Sequence, residues 1–205
     1  MLGWKMDGAA SLQNDTLNVI TYMLNNGTAG LLDLDVNQPM LCLGAGAGCI
    51  DMRDYSQFVM VGQPNEGQTL EAVKDILLAE INKLKRGDFS EKLLSSVKNN
   101  LKLNFLRSLD SNSSRANAFV QTFVNGRPWQ TEVEKFDRIN AMTKQQIVDF
   151  MNKHFTDGYA IVYKRMGEDT TQKKIDKPQI TPIPSNRNLQ SAFVKEITES
   201  EVTPI

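Results

Sequence analysis

The chain has 205 residues, of which 40% are hydrophobic and 23% charged, and its formal net charge is −1. This composition is ordinary for a globular domain with an appendage and supplies a substantial core. A near-neutral chain without a large basic run argues against nucleic-acid binding through a charged patch. No apolar stretch approaches the roughly 20 residues that span a bilayer. The start, "MLGWKMDGAA", lacks the pattern of a signal peptide.

The count of histidines excludes several catalytic sites, because His154 is the only one. Zinc peptidase motifs of the H-E-x-x-H and H-x-x-E-H types need two histidines on one helix face. We interpret His154 as a partly exposed residue near a helix C-terminus, and less readily as a base for Cys42 or Cys49. These two cysteines lie in one predicted strand and are expected to be buried free thiols rather than a disulfide.

The first third of the chain is predicted to contain a strand, a helix and a hairpin. "LGWKMDGAA" is a candidate strand, and "DTLNVITYMLNNG" predicts a short helix with Asp15 as its N-cap and Gly27 at its end. The next segment, "NNGTAGLLDLDVNQPML", is interpreted as a loop. "MLCLGAGAGCI" and "YSQFVMVG" predict an antiparallel hairpin. Gly44, Gly46 and Gly48 share one face of it, which predicts close packing there by a helix or another backbone.

The middle of the chain is predicted to be helical. The strongest pattern is "GQTLEAVKDILLAEINKLKRGD", which carries one apolar face and ends at Gly87. A second helix follows, with Asp88 and Glu91 spaced as a capping box. Further helices are predicted from about Ser113 to Val124, in "PWQTEVEKFDRINAM" and in "TKQQIVDFMNKHF", where Thr143 and Gln146 form a capping box.

The last elements are a strand and a tail. "GYAIVYKRM" predicts a strand with a short core run. We therefore predict an α+β fold, an α/β roll whose antiparallel sheet packs against several helices. Residues 1–167 are expected to form this domain. Residues 168–205, which hold four of the seven prolines, are expected to form an extended inter-domain linker.

Three candidate sites have ordinary structural explanations. Asp33, Asp35 and Asn37 resemble the start of a calcium loop, but Gln38 and Gly44 occupy the positions where such a loop needs Gly and Glu, so a polar turn is favoured. "GAGAG" lies inside an alternating strand and does not lead into a helix, unlike phosphate-binding glycine loops. A basic set is interpreted as a solvated helix face rather than a binding face; it consists of Lys92, Lys98, Lys102 and Arg107.

Beyond these sites, the chain resembles a known family. "YMLNNGTAGLLDLDVNQ" and "FVMVGQPNEGQTLEAVKDILLAEINKLKRGDFSEKLL" are similar to segments of insulinase/pitrilysin zinc metallopeptidases, the inverzincins. "VYKRMGED" and "KPQITPIPSNRNLQSAF" resemble bacterial members where a strand leaves the domain for a linker. The resemblance covers nearly the whole chain and contains no catalytic residue.

The resemblance implies a supporting role. The family builds a chamber from repeated α/β roll domains, and zinc is bound by H-x-x-E-H in the first, which this sequence lacks. The chain looks like the second domain of the catalytic half. A substrate-contacting Arg and Tyr of the non-catalytic half align with Asp33 and Met40, so neither role is carried over.

The resemblance therefore predicts a non-catalytic chamber domain of a bacterial zinc metallopeptidase. No catalytic, metal or substrate-binding residue is assigned, and no cofactor is expected in this chain, while zinc is expected in the full-length protein. The expected partners are neighbouring domains of the same polypeptide and a peptide substrate, without nucleic acid or a membrane span. The alternative is an assembly or peptide-binding module of an inactive relative. An independent cysteine hydrolase is disfavoured. The compartment is not indicated, although the bacterial periplasm or cell envelope is compatible with the family.

Overall fold

A computed structural model of the chain describes residues 1–167, 176–182, 186 and 189–201. It contains two compact units, Met1–Lys164 and Arg165–Ile205. The first unit contains, in chain order, β1 (Leu2–Asp7), α1 (Gln13–Leu24), a π-helical turn (Asp33–Asn37), β2 (Gly44–Ile50), β3 (Tyr55–Gln63), α2 (Leu70–Arg86), α3 (Glu91–Ser108), α4 (Asn112–Val124), α5 (Trp129–Val133), α6 (Lys135–Ala141), α7 (Lys144–His154) and β4 (Ala160–Ile161). This order confirms the predicted α+β class.

The four strands form one antiparallel sheet in the order β2-β3-β1-β4. The predicted hairpin is confirmed, with Ala47 opposite Met60 and Cys49 opposite Phe58. The predicted last strand is shorter than expected. Ala160 and Ile161 lie opposite Gly3 and Leu2 respectively, and Val162 exchanges two backbone hydrogen bonds with Met1. Ala160 and Ile161 are exposed instead of forming a core run.

One face of the sheet carries the core, because side chains alternate between the two faces of a strand. Trp4, Phe58 and Met60 are buried on this face. The Trp4 ring lies 5.2 Å from that of Phe155, and its indole nitrogen donates to the Thr156 carbonyl at 3.0 Å. Helix α2 packs on β3 and α7, while α1 packs on β2 and α3. The helices therefore cover a single face.

Close packing on the sheet occurs at a different glycine from the predicted ones. A Cβ added at Gly44 or Gly48 would meet no atom within 4 Å, and at Gly46 the nearest atom would be Asn25 Oδ1 at 3.6 Å. The prediction of a helix against these glycines is therefore wrong. At Gly62, by contrast, a Cβ would lie 2.5 Å from Val73 Cγ1. This absence of a side chain lets α2 approach β3.

Helix ends confirm some predicted caps and correct others. Thr143 and Gln146 form the predicted capping box, and Gly87 ends α2 with a φ of 73°. Helix α3 is capped by the Ser90 side chain, not by Asp88. Asp15 lies inside the first turn of α1 rather than at its N-cap.

A buried ion pair explains why Asp15 lies inside its helix. Its side chain is 2% exposed, and its Oδ2 accepts from Arg138 Nε at 2.9 Å and lies 2.8 Å from Arg138 Nη2. Arg127 Nη1 lies 4.0 Å from the other carboxylate oxygen. The pair fastens α1 to α6, and the carboxylate is unavailable as a cap.

The second unit contains helix α8 (Ala192–Glu199), whose N-cap Ser191 accepts from the Val194 amide. This helix lies within the segment expected to be extended, so that expectation is wrong for these residues. Residues 168–175, 183–185, 187–188 and 202–205 lie outside the described residues. The assignment of 168–205 as an inter-domain linker therefore stays a prediction.

The approach of α2 to β3 yields a test of the packing. We expect Gly62→Ala to reduce the free energy of unfolding by roughly 1–3 kcal/mol, because the new methyl group overpacks against Val73. Gly44→Ala is the matched control, since its methyl group enters open space, and should change stability by less than about 0.5 kcal/mol. Urea denaturation measures both. Equal effects would contradict the packing.

Removing Arg138 tests the buried pair. Arg138→Met keeps an apolar stem but leaves Asp15 without its closest cation. We therefore expect the free energy of unfolding to fall by about 3 kcal/mol. This is at the low end for a broken buried ion pair, because Arg127 remains near Asp15. Arg86→Met is the control, since its pair with Asp88 is exposed on both sides and should contribute little. A similar stability for both variants would contradict the role of Arg138.

Candidate functional site at the edge of the sheet

The acidic segment at Asp33, Asp35 and Asn37 forms a π-helical turn, so the prediction of a loop is wrong here. Asp33 is buried, and its Oδ2 accepts the backbone N–H groups of Asn26, Thr28 and Gly30 at 3.0, 3.1 and 3.0 Å. This carboxylate therefore stabilises the turn that follows α1. Its lone pairs are directed at the protein's own backbone and not at a ligand.

Asp35 extends in another direction and joins the turn to α2. Its carboxylate lies 3.0 Å from Lys83 Nζ, which also lies 2.8 Å from Glu80 Oε1. Burial is the main influence that raises the pKa of Glu80 above its usual value, against the opposing effect of Lys83. Asp33 and Asp35 thus have separate protein partners, and their oxygens do not converge on a common cation.

Asn37 contacts the edge of the sheet. Its Oδ1 accepts the N–H of Ala45 at 2.8 Å, and its Nδ2 donates to the Ala45 carbonyl at 2.9 Å. A side-chain amide that pairs with both backbone groups of one residue imitates a neighbouring strand. The contact also shows that the Ala45 backbone groups point away from β3, because Asn37 takes both of them.

The same direction applies to Ala47 and Cys49. Residues of an antiparallel strand alternate between pointing toward and away from one neighbour, so these two share the orientation of Ala45. In the described part of the chain, no hydrogen bond to their outward N–H or C=O groups is present. Beyond the Asn37 contact, β2 therefore has an unpaired edge with two donors and two acceptors.

Three glycines leave few side chains on the outer face beside this edge. Gly44, Gly46 and Gly48 lie on the face away from the helices, where Ile50 and Val61 are about half exposed. An added strand needs its backbone near β2 and room for alternate side chains. The edge and the glycine face together meet these geometric needs.

The cysteines and the histidine do not form a catalytic pair. Cys42 is buried, as predicted, and Cys49 donates from Sγ to Asp51 Oδ1 at 3.1 Å. Burial, followed by this hydrogen bond and the Asp51 charge, raises the pKa of Cys49 to about 12. His154 ends α7 and stacks on Phe150 at 4.4 Å. A thiolate nucleophile is therefore strongly disfavoured at neutral pH.

The predicted basic set is partly structural. Lys98 Nζ donates to the carbonyls of Asn140 and Met142, which fastens α3 to the end of α6. Lys92, Lys102 and Arg107 are exposed. Within the described residues no three His, Cys, Asp or Glu side chains come together as a metal site. None of the described helices is long and apolar enough to cross a bilayer.

Comparisons with known proteins identify the family. A family model described as the peptidase M16 inactive domain matches residues 1–101. Residues 1–101 therefore match the M16 peptidases, and we call the chain the M16 domain after this match. A curated relative, the zinc protease PqqE of Helicobacter pylori, is 26% identical over 124 residues, which cover 60% of this chain and 28% of that protein.

Solved structures share the fold of this M16 domain. A protease from Helicobacter pylori has a TM-score of 0.71 at 24% identity, and the match covers 76% of this chain and 38% of that one. An inactive peptidase domain from Bordetella parapertussis has a TM-score of 0.65 at 14% identity, covering 78% of this chain and 90% of that one. The M16 domain therefore spans well under half the length of the Helicobacter proteins.

The matching family model describes the inactive type of domain. The zinc site of the catalytic domains in this family needs a histidine-containing set of ligands. The described residues of this chain do not provide such a set. Asp33 anchors a turn, while Met40 is 67% exposed with a φ of 55°. Sequence reasoning missed Ala47 and Cys49 as edge residues. The alternation of β2 was visible, but its position at the edge of the sheet was not.

Asn37 can be tested by substitution. Asn37→Ala leaves the backbone N–H and C=O of Ala45 without their side-chain partner. We therefore expect the free energy of unfolding to fall by roughly 1–2 kcal/mol and hydrogen exchange at the Ala45 amide to become faster. Asn99→Ala is the control, because Asn99 is exposed on α3. Unchanged exchange at Ala45 in the Asn37 variant would contradict the contact.

The protonated state of Cys49 predicts slow alkylation. At pH 8, iodoacetamide should modify Cys49 at least about a hundred-fold more slowly than a free cysteine, whose pKa is near 8.5. The rate should keep rising with pH through the alkaline range, since only the thiolate reacts. Asp51→Asn should accelerate the reaction by removing the carboxylate charge, which helps to raise the pKa of Cys49. Peptide mass spectrometry separates Cys49 from Cys42, and a rate that levels off below pH 9 would contradict the prediction.

Proposed function

We propose that this M16 domain is a non-catalytic wall of the substrate chamber in a longer zinc peptidase. We propose further that its β2 edge holds an extended stretch of the peptide. The observation that carries the second proposal is the pair of residues whose backbone groups point away from β3, Ala47 and Cys49, beside three glycines of the outer face. Adding a strand to an exposed edge is a recurring mode of peptide recognition.

The expected free energy of binding is small, so the edge would position a peptide rather than bind it tightly. The N–H and C=O groups of Ala47 and Cys49 offer four hydrogen bonds, each contributing roughly 1 kcal/mol net. Ordering a flexible peptide costs a comparable amount. An isolated domain would thus bind weakly. In a chamber, a weak contact aligns the chain for cleavage elsewhere and still allows product release.

Cleavage itself would depend on a zinc-bearing domain of the same polypeptide, because the residues that the structure describes hold no ligand set for the metal. The alternative is a peptide-binding or assembly module in a relative without catalysis. The natural polypeptide that contains this chain discriminates the two. An H-x-x-E-H motif with chelator-sensitive peptide cleavage supports the peptidase, and an absent motif supports the alternative. Stoichiometric zinc with cleavage by this chain alone would overturn the non-catalytic assignment.

Residue-resolved hydrogen exchange tests the edge. In the free domain the amide protons of Ala47 and Cys49 should exchange fast, whereas those of Gly46 and Gly48 are bonded to β3 and protected. A short unstructured peptide of Thr, Lys and Val should slow exchange at Ala47 and Cys49 by at least about ten-fold when most sites are filled.

A matched pair of variants checks that the backbone carries the binding. Ala47→Pro removes one outward N–H, a change that edge strands tolerate, and should reduce peptide affinity several-fold. Ala47→Ser retains the N–H and should bind like the unmodified domain. Circular dichroism verifies that both variants fold. Equal affinity for the two variants, or no protection at Ala47 and Cys49, would overturn the edge as a peptide site.

A further inference from the structure

A groove lies between α3 and the segment that follows α1, and its lining carries no charge. We call it the amide groove. It has a volume of about 350 Å³, which lies within the roughly 300–1,000 Å³ of small-molecule sites. Among the residues that the structure describes, those that line it are all uncharged, although 23% of the chain is charged. Its polar groups come from Asn26, Thr28, Ser96, Asn100 and Asn104.

One wall of the amide groove is a row of polar side chains along α3. Ser96, Asn100 and Asn104 are spaced four residues apart, which places them on the same face of the helix. All three are exposed, and their side chains form no hydrogen bond with any residue in the described part of the chain. An amide and a hydroxyl can each both donate and accept hydrogen bonds. The wall therefore presents unused donors and acceptors side by side.

The opposite wall is fixed by hydrogen bonds within the protein. Asn26 Oδ1 accepts the N–H groups of Thr28 and Ala29 at 3.1 and 2.9 Å. Its Nδ2 donates to the Tyr22 carbonyl at 3.1 Å. The Asp33 carboxylate accepts further N–H groups of the same segment. Because these bonds form without a ligand, little conformational freedom remains to be lost when a ligand binds.

Apolar groups complete the lining. Leu93 and Val97 of α3 contribute aliphatic groups, and Tyr22 of α1 contributes an aromatic residue that is half-buried. The groove thus combines an apolar part with a row of free amides. A pyranose ring has the matching character, because its C–H groups form apolar faces and its hydroxyl groups point outward from the rim.

Other classes of small molecule match this lining less well. A phosphate or carboxylate is normally held by Arg or Lys. Neither Lys92 nor Lys102 lines the groove, and Lys98 donates to carbonyls at the end of α6. An entirely apolar ligand would cover the free amides without offering them hydrogen bonds, which costs free energy. A neutral ligand rich in hydroxyl groups avoids both penalties.

We propose that the amide groove binds a neutral saccharide of one or two pyranose rings. The ring packs against Tyr22, and its hydroxyl groups pair with the side-chain amides of Asn100 and Asn104. An extended peptide is a poorer ligand, because side chains project from both of its faces and hold its backbone away from an aromatic residue. No residue of β2 lines the groove, so this site is separate from the proposed peptide edge.

Titration of the full chain with neutral disaccharides, followed by NMR, tests the site. The probes are maltose, cellobiose and N,N′-diacetylchitobiose, which differ in linkage and substituents. At least one of them should shift the side-chain amide signals of Asn100 and Asn104 until the shifts saturate. The side-chain signal of Asn99 should shift far less, since Asn99 is exposed on the same helix but does not line the groove.

Substitutions identify the groups that bind. Asn100→Ala and Asn104→Ala should each reduce affinity about five-fold, since each amide contributes at least one hydrogen bond. Asn99→Ala is the matched control and should bind like the unmodified chain. Tyr22→Phe keeps the aromatic ring and should bind more tightly than Tyr22→Leu. Urea denaturation verifies that the variants fold.

Several outcomes would overturn the inference. One is the absence of a saturating shift with all three disaccharides. Another is an equal affinity of Asn100→Ala, Asn104→Ala and Asn99→Ala. Tighter binding of inorganic phosphate than of any disaccharide would indicate a charged ligand instead. Shifts caused by a capped peptide of Ser and Ala, without shifts caused by the disaccharides, would assign the groove to peptide.

Discussion

The fold depends on the burial of a single face of the sheet. Trp4, Phe58 and Met60 face the helices, and Gly62 lets α2 approach β3 closely. Because the buried apolar area lies on one side, the outer face and the free edge contribute little to stability. Those parts can therefore change with few consequences for folding. This separation explains how the outer face and the edge can vary while the framework stays stable.

The segment from Asp33 to Asn37 links this framework to the edge. Asp33 gathers three backbone N–H groups, Asp35 contacts Lys83 on α2, and Asn37 contacts Ala45. Each side chain points to a different element, because residues two positions apart in a helical turn point in different directions around its axis. The segment that resembles a cluster of metal ligands in the sequence therefore connects three different parts of the fold. A metal would have to displace three sets of existing interactions to bind here.

The sequence predicted elements whose determinants are local. Periodicity and caps identified α2 and α7, and alternation identified the hairpin. It misplaced features that depend on distant partners. Asp15 resembles an N-cap until Arg138, 123 positions along the chain, forms an ion pair with it. Strand β4 pairs with the start of β1, which lies at the other end of the domain sequence. The candidate site was visible only as unusual polar spacing, since an unpaired edge is a property of the assembled sheet.

The glycines of β2 have a consequence for selectivity. A contact made through backbone groups beside Gly44, Gly46 and Gly48 meets few side chains that could distinguish those of a ligand. Such a contact discriminates by conformation, because only a chain that can become extended satisfies its donors and acceptors. Folded proteins would not bind, because their chains cannot become extended, whereas unfolded peptides of many sequences would bind. A broad range of bound peptides would then result from glycines, which have no side chain to select among them.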